Sequence, residues 1–181
     1  MTSSNTDALL RVKYLAPPHP THCVKVLILD LDRTLWSHHD VTTTVPPYRR
    51  VSEDAVVDSR GDVIRLNPCA KDLLELAKSM GVKLAVASWN SPDKALQALE
   101  TLGLSGWFDV VVVEPHPNKD RMIRKILKAL RLAPQDAVFV DDNPAICDLV
   151  KRSLPEVNVL NIGADVESLC EVKTLLERNQ Q

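Results

Sequence analysis

The stretch Val26-Leu27-Ile28-Leu29-Asp30-Leu31-Asp32-Arg33-Thr34-Leu35-Trp36 constrains this chain more than any other. An uninterrupted apolar run, too short for a typical helix, reads as a strand buried on both faces, the kind that sits inside a parallel sheet. The run ends in two aspartates at alternate positions. The carboxyl ends of strands are where open α/β sheets place their ligands. Carboxylates there lose solvation unless something compensates them, so the pair asks for a cation or a reaction.

Further apolar runs at 82–87, 110–113, 137–140 and 157–160 alternate with amphipathic stretches, and the first run itself extends over 24–29. This alternation predicts a three-layer, Rossmann-like α/β fold with a central, mostly parallel sheet and helices on both faces. Helix boundaries are punctuated. Asn67-Pro68 opens a helix that stops at Gly81, Ser91-Pro92 opens one closed by Gly103, and Asn143-Pro144 opens another. Asn118 is expected to cap a helix running through 131, and Asp165 a terminal one. At such positions a side-chain oxygen accepts from free backbone N–H groups, and proline fills a site whose N–H is unpaired anyway.

Two segments depart from the pattern. Residues 1–23 hold a short helical stretch at 7–15 and then Pro17, Pro18 and Pro20, which read as an N-terminal arm ahead of a domain spanning 24–181. Residues 37–66 lack a helical period. Within them, 55–57 and 63–66 flank Asp58-Ser59-Arg60-Gly61-Asp62, a β-hairpin with Gly61 in its turn.

A length of 181 residues suits one domain with a sizeable core. A formal net charge of −2 gives no pull toward nucleic acid or an acidic membrane surface. No apolar run approaches the ~20 residues that span a bilayer. The start of the chain lacks a basic, then apolar, signal pattern, so the expected location is cytoplasmic. The four cysteines, Cys23, Cys69, Cys147 and Cys170, form no CxxC pair and read as reduced, mostly buried thiols. Cys23 with His19 and His22 matches no common zinc spacing.

Four places carry chemistry, each at or just beyond a strand end. They are Asp30 and Asp32, then Ser88 in Ser88-Trp89-Asn90, then Lys119, then Asp141-Asp142. Each signal is weak alone, and the ordered conjunction is specific. In these motifs the chain resembles the haloacid dehalogenase superfamily over about residues 24–165. Leu35-Trp36 and the short insertion with Pro46-Pro47-Tyr48 are most similar to its magnesium-dependent phosphatase 1 family. The chain departs at Arg33, where small or aromatic residues are common in relatives, and in Glu114-Pro115-His116-Pro117-Asn118.

Electrostatics points the same way. Two carboxylates ~4 Å apart repel by ~4 kcal/mol at an effective dielectric of ~20. A hard cation that prefers oxygen ligands, Mg²⁺, offsets that repulsion. The resemblance implies a mechanism as well. Asp30 is the nucleophile that forms an aspartyl-phosphate, and Asp32 is first the acid and then the base. Ser88 and Lys119, with Trp89 and Asn90 beside them, hold the phosphoryl group. Asp30, Asp141, Asp142 and the main-chain carbonyl of Asp32 serve the metal, with Asp142 ordering metal-bound water or Lys119. Thr34 supports the loop.

A carboxylate two places after the nucleophile favours ester hydrolysis, whose leaving oxygen needs a proton. The 37–66 insertion is too short for a helical lid, so the site is expected to be open. Trp36, His38, His39, Tyr48, Arg49 and Arg50 are candidates to touch substrate. The expected activity is Mg²⁺-dependent hydrolysis of phosphomonoesters, on a phosphorylated small molecule or a phosphoprotein. A phosphatase acting on nucleic-acid ends and a non-enzymatic phospho-acceptor module remain as alternatives.

Overall fold

A computed structural model describes residues 23–179. Its centre is a five-stranded parallel sheet of β1 (Val26–Leu29), β5 (Lys83–Trp89), β6 (Val110–Glu114), β7 (Ala137–Asp141) and β8 (Asn158–Asn161), ordered β6-β5-β1-β7-β8. The chain runs outward from β1 through β5 to β6, then returns to β1's other edge and continues through β7 to β8. The strand order therefore reverses at β1, the position where such sheets open a crevice beyond their carboxyl ends.

Side-chain alternation divides the core. Leu27 and Leu29 face one layer, built from α1 (Ala70–Ser79), α2 (Pro92–Thr101) and α5 (Leu169–Arg178). Val26 and Ile28 face the other, built from α3 (Lys119–Leu130) and α4 (Pro144–Ser153). Because successive strand residues point to opposite faces, Asp30 continues the row of Val26 and Ile28. Asp141 continues the row of Ala137 and Phe139, on the same face. On α3, Met122, Ile123 and Ile126 are buried at helical spacing from Lys119, which places Lys119 on the helix face turned toward those aspartates.

The 37–66 insertion forms a second sheet of three antiparallel strands, β2 (Arg49–Arg50), β3 (Ala55–Val57) and β4 (Val63–Arg65). The expected hairpin is there, with Gly61 at φ 95° in its turn, and β2 adds a strand that the sequence reading lacked. Buried Asp58 holds the turn by accepting from the backbone N–H groups of Val45, Arg60 and Asp62. Lys94 of α2 ties the insertion down through the carbonyls of Thr42 and Thr44.

Several helix starts differ from expectation. Asn143 caps α4 as predicted, accepting from Ala145 and Ile146 N–H. Ser91 and Asn118 precede α2 and α3 without a side-chain cap. Asn67 does not cap α1, which begins after Cys69. Its amide instead donates to the Thr34 carbonyl at 2.8 Å, and its backbone N–H to Leu35 at 2.9 Å, clamping the loop after β1. Asp165 accepts from Asn161 N–H, and Ser168 caps α5. Gly81 and Gly103 end α1 and α2 in the left-handed region, as their sequence positions predict.

The expectation of reduced thiols is overturned at two positions. Cys69 and Cys170 form a disulfide between the starts of α1 and α5, with Cα atoms 5.1 Å apart. Their separation of 101 residues hid the pairing, which arises only because α1 and α5 pack side by side. Cys147 is a buried free thiol and Cys23 an exposed one. The readings for residues 1–22, including the arm, its helix and His19 and His22, lie outside the described residues. Among the described residues no helix is long and apolar enough to cross a membrane.

A disulfide typically stabilises a fold by about 2–4 kcal/mol, and a loop of this length lies above that range in the chain-entropy account. Reduction, or Cys69→Ser, is therefore expected to lower the thermal midpoint in calorimetry. An unchanged midpoint, with four thiols titratable in the unfolded chain before reduction, would contradict the bridge.

Candidate active site

Lys119 is 2% exposed, a burial that an ammonium tolerates only with close partners. Its Nζ donates to Asp30 Oδ1 and to Asp141 Oδ2, each at 2.8 Å, and lies 5.5 Å from the Phe139 ring centre. The second oxygen of Asp141 accepts from Asn143 N–H at 2.9 Å. Thr34 Oγ1 donates toward Asp30 Oδ2 at 3.3 Å and lies 3.5 Å from Asp142 Oδ1. Asp142 is half-buried and does not bond Lys119, contrary to one of the two tasks expected of it.

Oxygens of Asp30, Asp141 and Asp142 all lie within 4.8 Å of one another. Three carboxylates against one ammonium leave two negative charges, which one divalent cation cancels. Burial, reinforced by Asp141 and Asp142 against the opposing pull of Lys119, pushes Asp30 up to about 7. Burial and the neighbouring Asp141 likewise raise Asp142. Burial alone would lower Lys119, but Asp30 and Asp141 outweigh it and hold its pKa above the ordinary value. Donors that are all oxygen, acidic and under-compensated fit a hard ion such as Mg²⁺.

Asp32 is held differently. Its Oδ1 accepts from the Trp36 indole N–H at 2.8 Å and from Val41 N–H at 3.2 Å. Its Oδ2 accepts from the Asn90 amide at 2.9 Å. All three donors are neutral. Burial raises the Asp32 pKa, with the Trp36 and Val41 bonds opposing it. Its carboxylate stands outside the three-aspartate cluster, leaving only its main-chain carbonyl for the metal role expected of it.

The sequence reading missed what holds Asp32. Asn90, expected on the phosphate, spends its amide nitrogen on Asp32 and its oxygen on Ser91 N–H. Trp36, expected to contact substrate, is fully buried beneath Asp32. The tight link Asp32-Leu31-Trp36 was visible as an i, i+4 spacing with an indole donor, whereas the Asn90 pairing depends on β5 lying beside β1.

Ser88 is the penultimate residue of β5, in the row of Leu84 and Val86, which packs with Leu27 and Leu29 rather than with the row that Asp30 continues. Its Oγ is buried and, among the described residues, has no hydrogen-bond partner. An orphaned buried hydroxyl is costly, and Ser88 is not among the residues lining the cavity above the aspartates. Trp89, His39 and Arg33 line the cavity of about 380 Å³ above the aspartates. Tyr48 is engaged with Thr44, and Arg50 donates to the Ser52 and Glu53 carbonyls. Tyr48, Arg49, Arg50 and His38 are not among the residues lining the cavity.

Residues 22–162 match the acid phosphatase family. Magnesium-dependent phosphatase 1 of Homo sapiens is 30% identical over 150 residues, which span 81% of this chain and 84% of that protein. Phosphorylated carbohydrates phosphatase of Thermotoga maritima is 28% identical over 123 residues, 64% of this chain and 54% of that protein. The crystal structure of a haloacid dehalogenase-superfamily hydrolase from Ehrlichia chaffeensis shares the fold. Its TM-score is 0.64 at 14% identity, over 88% of this chain and 99% of that one.

A raised Asp30 pKa means that the folded, metal-free chain binds a proton which the unfolded chain has released between pH 3.8 and about 7. The Asp30 contribution to stability is therefore full below pH 3.8 and is lost as pH rises through about 7. In thermal melts, Mg²⁺ should stabilise the chain more at pH 8 than at pH 5, because the metal competes with that proton. Asp30→Asn should abolish the difference. Equal Mg²⁺ shifts at both pH values in the unaltered chain would contradict the assignment.

Proposed function

The chain belongs to the acid phosphatase family on the haloacid dehalogenase fold and is a Mg²⁺-dependent phosphatase, and we propose that it hydrolyses phosphomonoesters of small molecules through an aspartyl-phosphate on Asp30. The observation that carries this reading is the contrast between its two strand-end carboxylates. Asp30 sits in a charged cluster with Lys119, whereas Asp32 is gripped by three neutral donors and, lacking a cation partner, has its pKa raised by burial. Two carboxylates in unlike environments take unlike roles, one nucleophile and one acid/base. A small-molecule substrate draws support from the relative that acts on phosphorylated carbohydrates.

In the proposed reaction an Asp30 carboxylate oxygen attacks phosphorus in line with the leaving oxygen. The new bond joins Asp30 to phosphorus as the ester P–O bond breaks, and Asp32 gives its proton to the departing oxygen. Water then attacks the acyl phosphate while Asp32, now a carboxylate, takes a proton from it. Inorganic phosphate leaves and both aspartates return to their starting states. Lys119 and Ser88 hold the phosphoryl oxygens as charge redistributes. Asp30, Asp141 and Asp142 with the Asp32 carbonyl would hold Mg²⁺, which neutralises charge on the phosphoryl oxygens when bound. Trp36 and Asn90 orient Asp32 and touch no substrate.

Asp32's proton-donating role makes it different from a phospho-acceptor switch, in which a built-in base would shorten the life of the acyl phosphate. With an aryl phosphate and Mg²⁺, Asp30→Asn should abolish turnover, and Asp32→Asn should reduce it by about 10²-fold or more. A short-lived phosphoryl adduct on Asp30, trapped by acid quench and mass spectrometry, is expected in the unaltered chain. Turnover that survives Asp30→Asn would remove the proposal. Trp36→Phe tests the orientation of Asp32. Losing a bond to the carboxylate raises the Asp32 pKa, so the basic limb of the kcat/KM profile should move to higher pH as kcat falls about tenfold. A profile that superimposes on the unaltered one would contradict that role.

A further inference from the structure

Arg33 stands between the two catalytic aspartates and Thr34, in left-handed backbone at φ 56°. That region costs an L-residue roughly 1–2 kcal/mol that glycine would not incur. The conformation is imposed by the loop. Arg33 N–H reaches the His38 carbonyl at 3.1 Å, and Thr34, Leu35 and Trp36 N–H groups all return to Leu31. Glycine or asparagine would meet this geometry more cheaply, so the side chain needs its own explanation.

The side chain lines the cavity with Asp30, Asp32 and Lys119. Among the described residues its guanidinium makes no hydrogen bond or ion pair, although its charge is felt at Asp142. The other strong cation there, Lys119, is buried and committed to Asp30 and Asp141. Of the lining carboxylates outside the cluster, Asp40 is occupied by Thr42, and Asp32 by its three donors. Trp89 completes the picture. It lines the cavity with Arg33 and is 52% exposed, where a residue of this size is usually covered.

We propose that Arg33 and Trp89 form a second subsite at the cavity mouth, which selects phosphomonoesters whose leaving group carries a further oxyanion on a flat or cyclic skeleton. The inference rests on the phosphatase reading and names the substrate class for it. Arg33 pairs in fork geometry with the distal carboxylate or phosphate, a pairing that lysine does not reproduce. Trp89 gives the skeleton an apolar face. The small insertion leaves few other groups to discriminate one leaving group from another.

The test compares three aryl esters with the full chain and Mg²⁺: phenyl phosphate, meta-carboxyphenyl phosphate and resorcinol bisphosphate. Either or both charged esters should exceed phenyl phosphate in kcat/KM by about tenfold or more. Whichever is favoured identifies the distal group as carboxylate or phosphate. Arg33→Asn, which tolerates the left-handed backbone, should bring the ratios to within about twofold of unity. Arg33→Lys should recover only part of the preference. Calorimetric binding of phenylphosphonate against its meta-carboxy analogue reads the same preference without turnover. Equal kcat/KM for all three esters in the unaltered chain, or a preference that persists in Arg33→Asn, overturns the subsite and leaves the phosphatase reading intact. Absence of turnover with every ester overturns both.

Discussion

A single buried ammonium organises this molecule's chemistry. Lys119 joins Asp30 at the end of β1 to Asp141 at the end of β7. It thereby stitches the first residue of α3 to the two strands that flank the reversal in sheet order. Neither element could bury its charge alone. An isolated ammonium or carboxylate in such a place would shed its charge, and removing one member of a buried pair leaves the other uncompensated. Even so, the cluster is left short of positive charge, because three carboxylates face one lysine. That shortfall is what a divalent cation would offset.

The same sheet edge separates two kinds of carboxylate environment across one intervening residue. Asp30 looks into the charged cluster, and Asp32 turns toward an indole, a backbone amide and a side-chain amide. The separation depends on the tight loop after β1. Three N–H groups folding back to the Leu31 carbonyl, together with the Asn67 clamp on Thr34 and Leu35, fix that loop. The segment ahead of the small antiparallel sheet supplies the Val41 N–H that Asp32 accepts, and its His39, Asp40 and Thr42 line the cavity. The turn that parts the aspartates holds Arg33 at a positive φ, a conformation that an arginine meets only at a cost.

Much of this was legible in the order of residues. Row parity along 26–30 and 137–141 places both aspartates on one face. The spacing of Lys119 with Met122, Ile123 and Ile126 then turns the lysine toward that face. Strand ends and the sequence of motifs likewise pointed to Asp142, which joins the carboxylate cluster, and to Ser88, which is buried but does not line the cavity. What stayed hidden depends on pairings between distant segments. Asn67 and Asn90 carry the composition of a helix cap and a phosphate ligand. Their actual partners are fixed by which strand lies next to β1 and where the loop passes. Cys69 and Cys170 belong together only once α1 and α5 share a face, and β2 is too short to leave a pattern.

The central claim is that Asp30 and Asp141, drawn together through Lys119, form the protein's metal-binding face while Asp32 stands apart as acid and base. Isothermal titration of Mg²⁺ into the unaltered chain, Asp141→Asn and Asp32→Asn tests it most directly. One site is expected in the unaltered chain and in Asp32→Asn, whose backbone carbonyl is retained, and binding is expected to be lost or strongly weakened in Asp141→Asn. Undiminished Mg²⁺ affinity in Asp141→Asn would contradict the account.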